Sequence, residues 1–340
     1  MTDEVQAPLR SMRAPEMINI QLTTRCPLRC PQCYCDFHQG KDIKPELALK
    51  YIDQAAALKI PLISLSGGET LVYPYLEELL QAIHAKGIKS AIAISGWGVD
   101  TVKLQTLKSA GVGEIYVSLN GSSPEINDKS RQGYALAINA LRLLQQDGQA
   151  DYYINWVARN DNVPDFPNLV ELAQSMGVRG VVIVESKPDA AYELPASLSR
   201  ENFILLADYL KKHHQQDIPV AIEPCFSPLR AFIQQHFLWN GNTGFDKGCG
   251  AGRSSMAVDV DGNLIPCRHL LYPESYELIA DYWQHSEVLD KLRRFEDNKG
   301  EPCRSCTLGK YCLSCRAVAD KVEKNLFSGN HYCQAGAVAR

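Results

Sequence analysis

The chain has 340 residues, 45% hydrophobic and 22% charged, a composition that supports one large core with a smaller appended module. Its 35 basic and 39 acidic residues leave a net charge of −4, so the charge balance gives no case for a nucleic-acid partner. No apolar run approaches the roughly 18–20 residues that span a bilayer, and Met1-Thr2-Asp3-Glu4-Val5-Gln6 lacks the basic-then-apolar layout of a signal peptide. The expectation is a cytoplasmic protein with no membrane partner. Its twelve cysteines then read as metal ligands or redox groups rather than disulfides.

After a polar lead over residues 1–16, Met17-Ile18-Asn19-Ile20-Gln21-Leu22 alternates apolar and polar as a strand does. Pro45 then opens a helix carrying Leu47, Tyr51, Ile52, Ala55 and Ala56 at helical spacing. The segment from Ile60 to Leu65 predicts a second strand that runs into Ser66-Gly67-Gly68. The same rhythm continues through helices at 75–86, 101–110, 135–146, 166–176 and 200–213, with strands at 89–94, 114–119, 152–158 and 180–184. Such α/β alternation demands a parallel sheet with right-handed crossovers. Six strand–helix units suit an open, partial TIM-type barrel over 17–218, although periodicity alone does not separate it from a doubly wound sheet. From 219 to 340 the chain carries eight of the twelve cysteines and fewer long helices, which predicts a second module held by metal sites more than by an apolar core.

Cys26, Cys30 and Cys33 follow the first strand on one loop, spaced by three and then two residues. Thiolates select soft metals and iron–sulfur clusters. Three of them leave one iron of a four-iron cubane open to a small molecule, with a zinc site as the alternative.

This CxxxCxxC spacing resembles the signature of the radical S-adenosylmethionine (SAM) superfamily. The resemblance implies that the open iron chelates SAM, and that the reduced cluster cleaves it to a 5′-deoxyadenosyl radical that takes hydrogen from a substrate. It also implies an electron donor such as flavodoxin or ferredoxin. Gln32 stands where the family has an aromatic residue or His, which implies a tuned potential, and Cys35 reads as a spare thiol.

Gly67-Gly68-Glu69 resembles the family's GGE motif, with Glu69 expected to accept from the methionine ammonium. Ser95 ends the third strand, where the family places a polar residue near the ribose. Ser118-Leu119-Asn120-Gly121 resembles S-x-D-G with Asn120 in place of Asp, and Asn127-Asp128-Lys129-Ser130-Arg131 resembles H-D-x-x-R, whose Arg lies near the methionine carboxylate. Asn120 reads equally as a turn residue.

The C-terminal cysteines divide into Cys249 and Cys267, with Gly262 between them, and Cys303, Cys306, Cys312, Cys315 and Cys333. Five residues between the two C-x-x-C pairs are too few for a usual zinc ribbon. The layout resembles the family's SPASM module, with two residues rather than three between Cys312 and Cys315. That resemblance implies two auxiliary [4Fe–4S] clusters, three clusters in all. Cys249, Cys267 and Cys315 would hold the first, completed by Cys225 or left with an open iron. Cys303, Cys306, Cys312 and Cys333 would hold the second.

SPASM enzymes mostly modify ribosomally made peptides, so the resemblance implies a precursor-peptide substrate and a carbon–carbon or thioether side-chain crosslink. A small molecule or tetrapyrrole is the alternative substrate, and an iron–sulfur electron carrier the alternative class. Arg268 follows Cys267 where sulfatase-maturating members carry Asp, which argues against formylglycine formation. The stretch before Met17 is short for a leader-binding domain, so a leader is expected to meet the barrel and SPASM surface or a separate protein. His269, Glu185 and Asp36 are candidate bases by location alone.

Overall fold

The computed structural model describes residues 13–33, 35, 40–148, 150–187, 198–213, 218–236, 248–309, 312–330 and 333–335, and Asp36 lies outside them. Among the described residues nine strands form one sheet. They are β1 (Met17–Thr23), β2 (Leu62–Gly67), β3 (Lys89–Ile94), β4 (Glu114–Ser118), β5 (Asp151–Ala158), β6 (Val181–Glu185), β7 (Val220–Ile222), β8 (Ser255–Val258) and β9 (Leu264–Ile265). Their order is β7-β6-β5-β4-β3-β2-β1-β8-β9, and every pairing is parallel except β8 with β9.

Parallel neighbours need crossovers, and helices supply them. In chain order α1 to α7 are Pro45–Ala57, Leu76–Ala85, Thr101–Ser109, Pro124–Asn127, Tyr134–Asp147, Phe166–Ser175 and Arg200–Lys212. Beyond β7 come α8 (Ser227–His236), α9 (Ile279–His285), α10 (Glu287–Arg293) and α11 (Arg316–Glu323). The first helix shows why the segments take this form. Pro45 sits where a missing N–H costs nothing, and Ala48, Tyr51, Ile52 and Ala55 recur at helical spacing to make its buried face.

Along β1, Ile18, Ile20 and Leu22 are fully buried, while Met17 and Asn19 line an inner cavity. The inward positions of β2, β4 and β5 include small or polar side chains: Ser64, Ser66, Ser118 and Asn155. Asn19 donates to Ser64 Oγ at 3.1 Å and accepts from Ser66 Oγ at 2.9 Å, so this lining is hydrogen-bonded across strands. Residues of β1 to β6 and of β8 all border the one cavity, which a flat sheet could not enclose. The sheet is therefore curled into a partial barrel, open because β7 and β9 do not pair.

Two elements differ from the sequence reading. β2 begins at Leu62 rather than Ile60, because Pro61 has no N–H and Lys59 takes a left-handed conformation, φ 57°, just after α1. It ends later, with Ser66 opposite Gln21 and Gly67 opposite Thr23 of β1. Residues past 218 also add to both edges of the sheet: Val220–Ile222 pairs with β6, and Ser255–Val258 pairs with β1. Strands of three and four residues are too short for a period to register, so neither was foreseen. Residue 218 thus lies between α7 and β7, inside the last crossover.

The C-terminal part is also fastened to α1 and to the segment just before it. Tyr51 Oη donates to the Gly262 carbonyl at 2.7 Å, Ile279 N donates to Gln54 Oε1 at 2.7 Å, and Lys41 pairs with Asp261 at 3.0 Å. No helix among the described residues is long and apolar enough to cross a membrane.

Candidate active site

The cysteine loop leaves β1 through Thr23-Thr24-Arg25, and short contacts fix that exit. Arg25 holds Asp42 with two bonds, Nε to Oδ1 at 2.9 Å and Nη2 to Oδ2 at 2.5 Å, and reaches the Val72 carbonyl at 3.1 Å. Thr23 Oγ1 donates to the same Asp42 at 2.6 Å. From the other side Gly68 N donates to the Thr23 carbonyl at 2.8 Å and Glu69 N to the Arg25 carbonyl at 2.9 Å. A Cβ on Gly67 would stand 2.6 Å from the Thr23 oxygen, and one on Gly68 2.4 Å from the Arg25 oxygen. The glycine pair is thus required by the backbone of the cysteine loop itself.

Glu69 is buried, with its carboxylate turned to the protein. It accepts from Leu71 N at 3.1 Å, from Ser95 N at 2.8 Å and from Ser95 Oγ. Burial pushes its pKa up against these donors. Ser95 and Ser118 border the cavity, and Glu69 does not.

Asn120 is likewise away from the cavity. Its Nδ2 donates to Ser130 Oγ at 2.9 Å, its Oδ1 accepts from Val157 N at 3.0 Å, and its N–H donates to Asn127 Oδ1 at 2.8 Å. Its carbonyl takes Trp156 Nε1 and Asn162 Nδ2. Asn127 Nδ2 in turn donates to the Arg131 carbonyl at 2.8 Å. Asn120 is a bracket for the turn that delivers Arg131 to the cavity, a role an amide fills without the charge of Asp. Gln32 N donates to the Ser130 carbonyl at 3.2 Å, and Gln132 Oε1 accepts from Arg29 N at 2.7 Å, so this turn and the cysteine loop are tied together.

Cys26, Cys30 and Cys33 face one cavity of about 450 Å³. Burial pushes Cys26 up to about 11 and also raises Cys30. Cys33 moves the other way, held down to about 7 by the Cys35 thiol and assisted by Arg131 and Arg268. Cys35 also donates to the Gly67 carbonyl at 3.6 Å, so the thiol read as spare is a neighbour that tunes Cys33.

The same cavity is bordered by Cys225, Cys249, Cys267 and Cys315. The Cys225 thiol lies within hydrogen-bonding reach of both Cys249 and Cys315, which raises its own pKa and draws Cys249 down to about 6. Beside them, Lys187 Nζ pairs with Glu223 at 2.7 Å and donates to the Glu185 carbonyl at 3.1 Å. Glu185, Arg268 and His269 complete that wall. Burial, with the Cys315 charge next, pushes Glu185 well above the carboxylate range, whereas burial and Arg268 hold His269 well below its ordinary value.

Cys303, Cys306, Cys312 and Cys333 lie off this cavity. Cys303 Sγ accepts from Asn330 N at 3.3 Å, Cys333 N donates to the Asn330 carbonyl at 3.2 Å, and Cys312 Sγ is 3.3 Å from Ser227 Oγ. Among the described residues no three His, Cys, Asp or Glu side chains close on a single-ion site. A cubane instead gives each thiolate its own iron, spreading its ligands over the corners.

Whether SAM and a cluster suit the Cys26 loop is tested by the atoms that lack partners. Arg131 Nε and Gln32 Oε1 are buried in the cavity wall with no hydrogen bond, one donor and one acceptor. An unsatisfied buried polar atom costs about 1–3 kcal/mol, so a missing partner is expected. A ligand carrying both a carboxylate and an amine supplies both. The residues fit the group.

Residues 20–173 match the family model described as the Radical SAM superfamily. The matched segment runs from β1 into α6 and includes Cys26, Cys30 and Cys33. The chain is 26% identical over 350 residues to a protein named PqqA peptide cyclase from Ruegeria pomeroyi, covering 98% of this chain and 87% of the relative. It is 23% identical over 337 residues to one named AdoMet-dependent heme synthase from Methanosarcina barkeri, covering 94% and 96%. Among solved structures, Streptococcus suis SuiB bound to its precursor peptide SuiA superposes with a TM-score of 0.77 at 20% identity, over 95% of this chain and 76% of that one. That likeness is one of fold. The family-model match supports SAM and a [4Fe–4S] cluster as cofactors.

Two outcomes test this geometry. Crowding by a Cβ at Gly68 costs about 1–3 kcal/mol, so Gly68→Ala should weaken SAM binding by about fivefold or more. Anaerobic equilibrium dialysis measures this, and unchanged affinity would contradict the close approach. In the metal-free protein Cys33 should be alkylated by iodoacetamide ahead of Cys26 at neutral pH, because only thiolates react. Its rate should fall as pH drops through about 7. Peptide mapping showing Cys26 modified first would refute the assignment.

Proposed function

We propose that the chain is a radical SAM peptide maturase, which oxidatively crosslinks side chains of a ribosomally made precursor. The observation that carries this reading is the pair of cysteine sets facing one cavity: Cys26, Cys30 and Cys33 on one wall, and Cys225, Cys249, Cys267 and Cys315 on the other. Three thiols leave room for SAM, and four can close a cluster. When bound, SAM and the reduced cluster supply the hydrogen-atom abstraction.

The remaining roles fall to the chain's own side chains. Cys26, Cys30 and Cys33 hold the first cluster. Arg131 and Gln32 orient the methionine end of SAM, and Ser95 and Ser118 stand at the strand ends as further polar contacts. Gly67 and Gly68 keep the loop in register, while Glu69, through its bonds to Ser95, acts as a positioning residue. Cys225 completes the first auxiliary set with Cys249, Cys267 and Cys315, and Cys303, Cys306, Cys312 and Cys333 form the second. Each crosslink removes two hydrogens, so once one hydrogen atom has gone, an electron and a proton must still leave. Clusters held by the two auxiliary sets would supply the acceptor for the electron, and solvent water would take the proton.

Glu185 is the substrate-facing group. Its Oε2 is buried in the cavity wall with no partner, and a donor on the incoming peptide side chain satisfies it. A flavodoxin or ferredoxin supplies the reducing electron, and the precursor's leader is held by the outer surface or by a separate protein. The likeness to proteins named for peptide cyclisation and for a bound precursor peptide supports this reading. A tetrapyrrole substrate is the second reading, supported by the relative named heme synthase.

Co-expression with a small peptide encoded beside the gene, followed by mass spectrometry, separates them. The peptide should lose the mass of two hydrogens per crosslink, and replacing Cys26, Cys30 and Cys33 with Ala should abolish both that loss and 5′-deoxyadenosine formation. An unchanged peptide, with 5′-deoxyadenosine formed only when a tetrapyrrole is added, would favour the second reading.

A further inference from the structure

Arg316 opens α11 directly after Cys315 and is 2% exposed. All the hydrogen-bond partners of its guanidinium are neutral. Nη1 donates to the carbonyls of Leu326 at 3.1 Å and Ser328 at 2.8 Å, and Nη2 donates to Ser314 Oγ. The guanidinium carbon lies 3.7 Å from the Phe295 ring centroid, and Nε is buried with no partner. Among the described residues no carboxylate forms an ion pair with it. The neighbouring buried cations differ: Lys187 has Glu223 at 2.7 Å, and Arg253 has Glu296 at 3.9 Å.

A buried cation without an anion is costly, and folded chains rarely keep one. The groups that can carry the missing negative charge are cysteine sulfurs. Cys315 is its chain neighbour, and the Arg316 backbone N–H donates to Cys249 Sγ. Cys303 and Cys312, from the other set, also act on the guanidinium. Ser328, held by Nη1, is two residues from Asn330, which donates to Cys303 Sγ. The guanidinium therefore stands between the two C-terminal thiol sets, within electrostatic reach of both.

We propose that Arg316 is the shared counter-cation of the two auxiliary clusters and raises the reduction potential of both. This rests on the reading that these thiols hold clusters. Reduction adds one negative charge to a cluster, and a nearby buried cation stabilises that charge with little solvent screening. One arginine so placed makes both clusters better acceptors for an electron leaving the substrate.

The test uses the full chain with Cys26, Cys30 and Cys33 replaced by Ala, so that the C-terminal clusters are read alone after anaerobic reconstitution. Redox titration followed by electron paramagnetic resonance gives their midpoints. Arg316→Met should shift both midpoints to more negative potential, and Arg316→Lys should shift them less, with iron content unchanged in the Lys variant. Should the Met variant lose iron, the Lys variant decides, and a small negative shift of both midpoints with full iron supports the proposal. Midpoints unmoved in an iron-replete Met variant, or a shift in one cluster alone, overturn it. Loss of iron in both variants also overturns it, since Arg316 would then be only a clamp for residues 326–328. A parent protein without iron at these thiols would instead refute the cluster reading, and this proposal with it.

Discussion

The structure depends on the parallel pairing of β1 with β8, in which Met17 to Ile20 lie opposite Ser255 to Val258. β1 delivers Cys26, Cys30 and Cys33 from its C-terminal end. β8 is flanked by Cys249 before it and Cys267 after it. Pairing these two strands makes the barrel and the C-terminal residues one sheet, and it places the two thiol sets around one cavity. A slip of one residue would turn every side chain of β8 to the other face. The bonds from Tyr51, Gln54 and Lys41 to the C-terminal part resist such a slip from outside the sheet.

Charge is organised around the sulfurs. Arg131 and Arg268 act on Cys33, Lys187 acts on Cys315, and Arg316 acts on both C-terminal sets. Lys187 is fixed by Glu223 and the Glu185 carbonyl, and Arg316 by the carbonyls of Leu326 and Ser328. The carboxylates are distributed differently. Glu69 is consumed by Ser95 and Leu71, Glu223 is neutralised by Lys187, and among the described residues Glu185 is the carboxylate that keeps an unpartnered buried oxygen toward the cavity.

Much of this was legible in the sequence, because the signals were local. Alternation in β1, helical spacing in α1 and the CxxxCxxC loop each lie within a short window. What escaped notice depends on residues distant in the chain. Gly67 and Gly68 read as parts of a cofactor motif, and the structure adds that a Cβ on either would meet the carbonyls of Thr23 or Arg25. Asn120 read as a cofactor contact or a turn residue, and it brackets Ser130, Val157 and Asn127. Strands as short as β7 and β8 have no period to read, and an arginine such as Arg316 is ordinary in sequence until its burial and missing counter-ion are seen.

The central claim is that eleven thiolates, in one set of three and two of four, hold three clusters. Iron and sulfide analysis with Mössbauer spectroscopy on the anaerobically reconstituted full chain tests it most directly. The account predicts about twelve irons per chain, all in four-iron clusters, falling to about eight when Cys26, Cys30 and Cys33 are replaced by Ala. About four irons in the full chain, with zinc bound at the C-terminal cysteines, would contradict it.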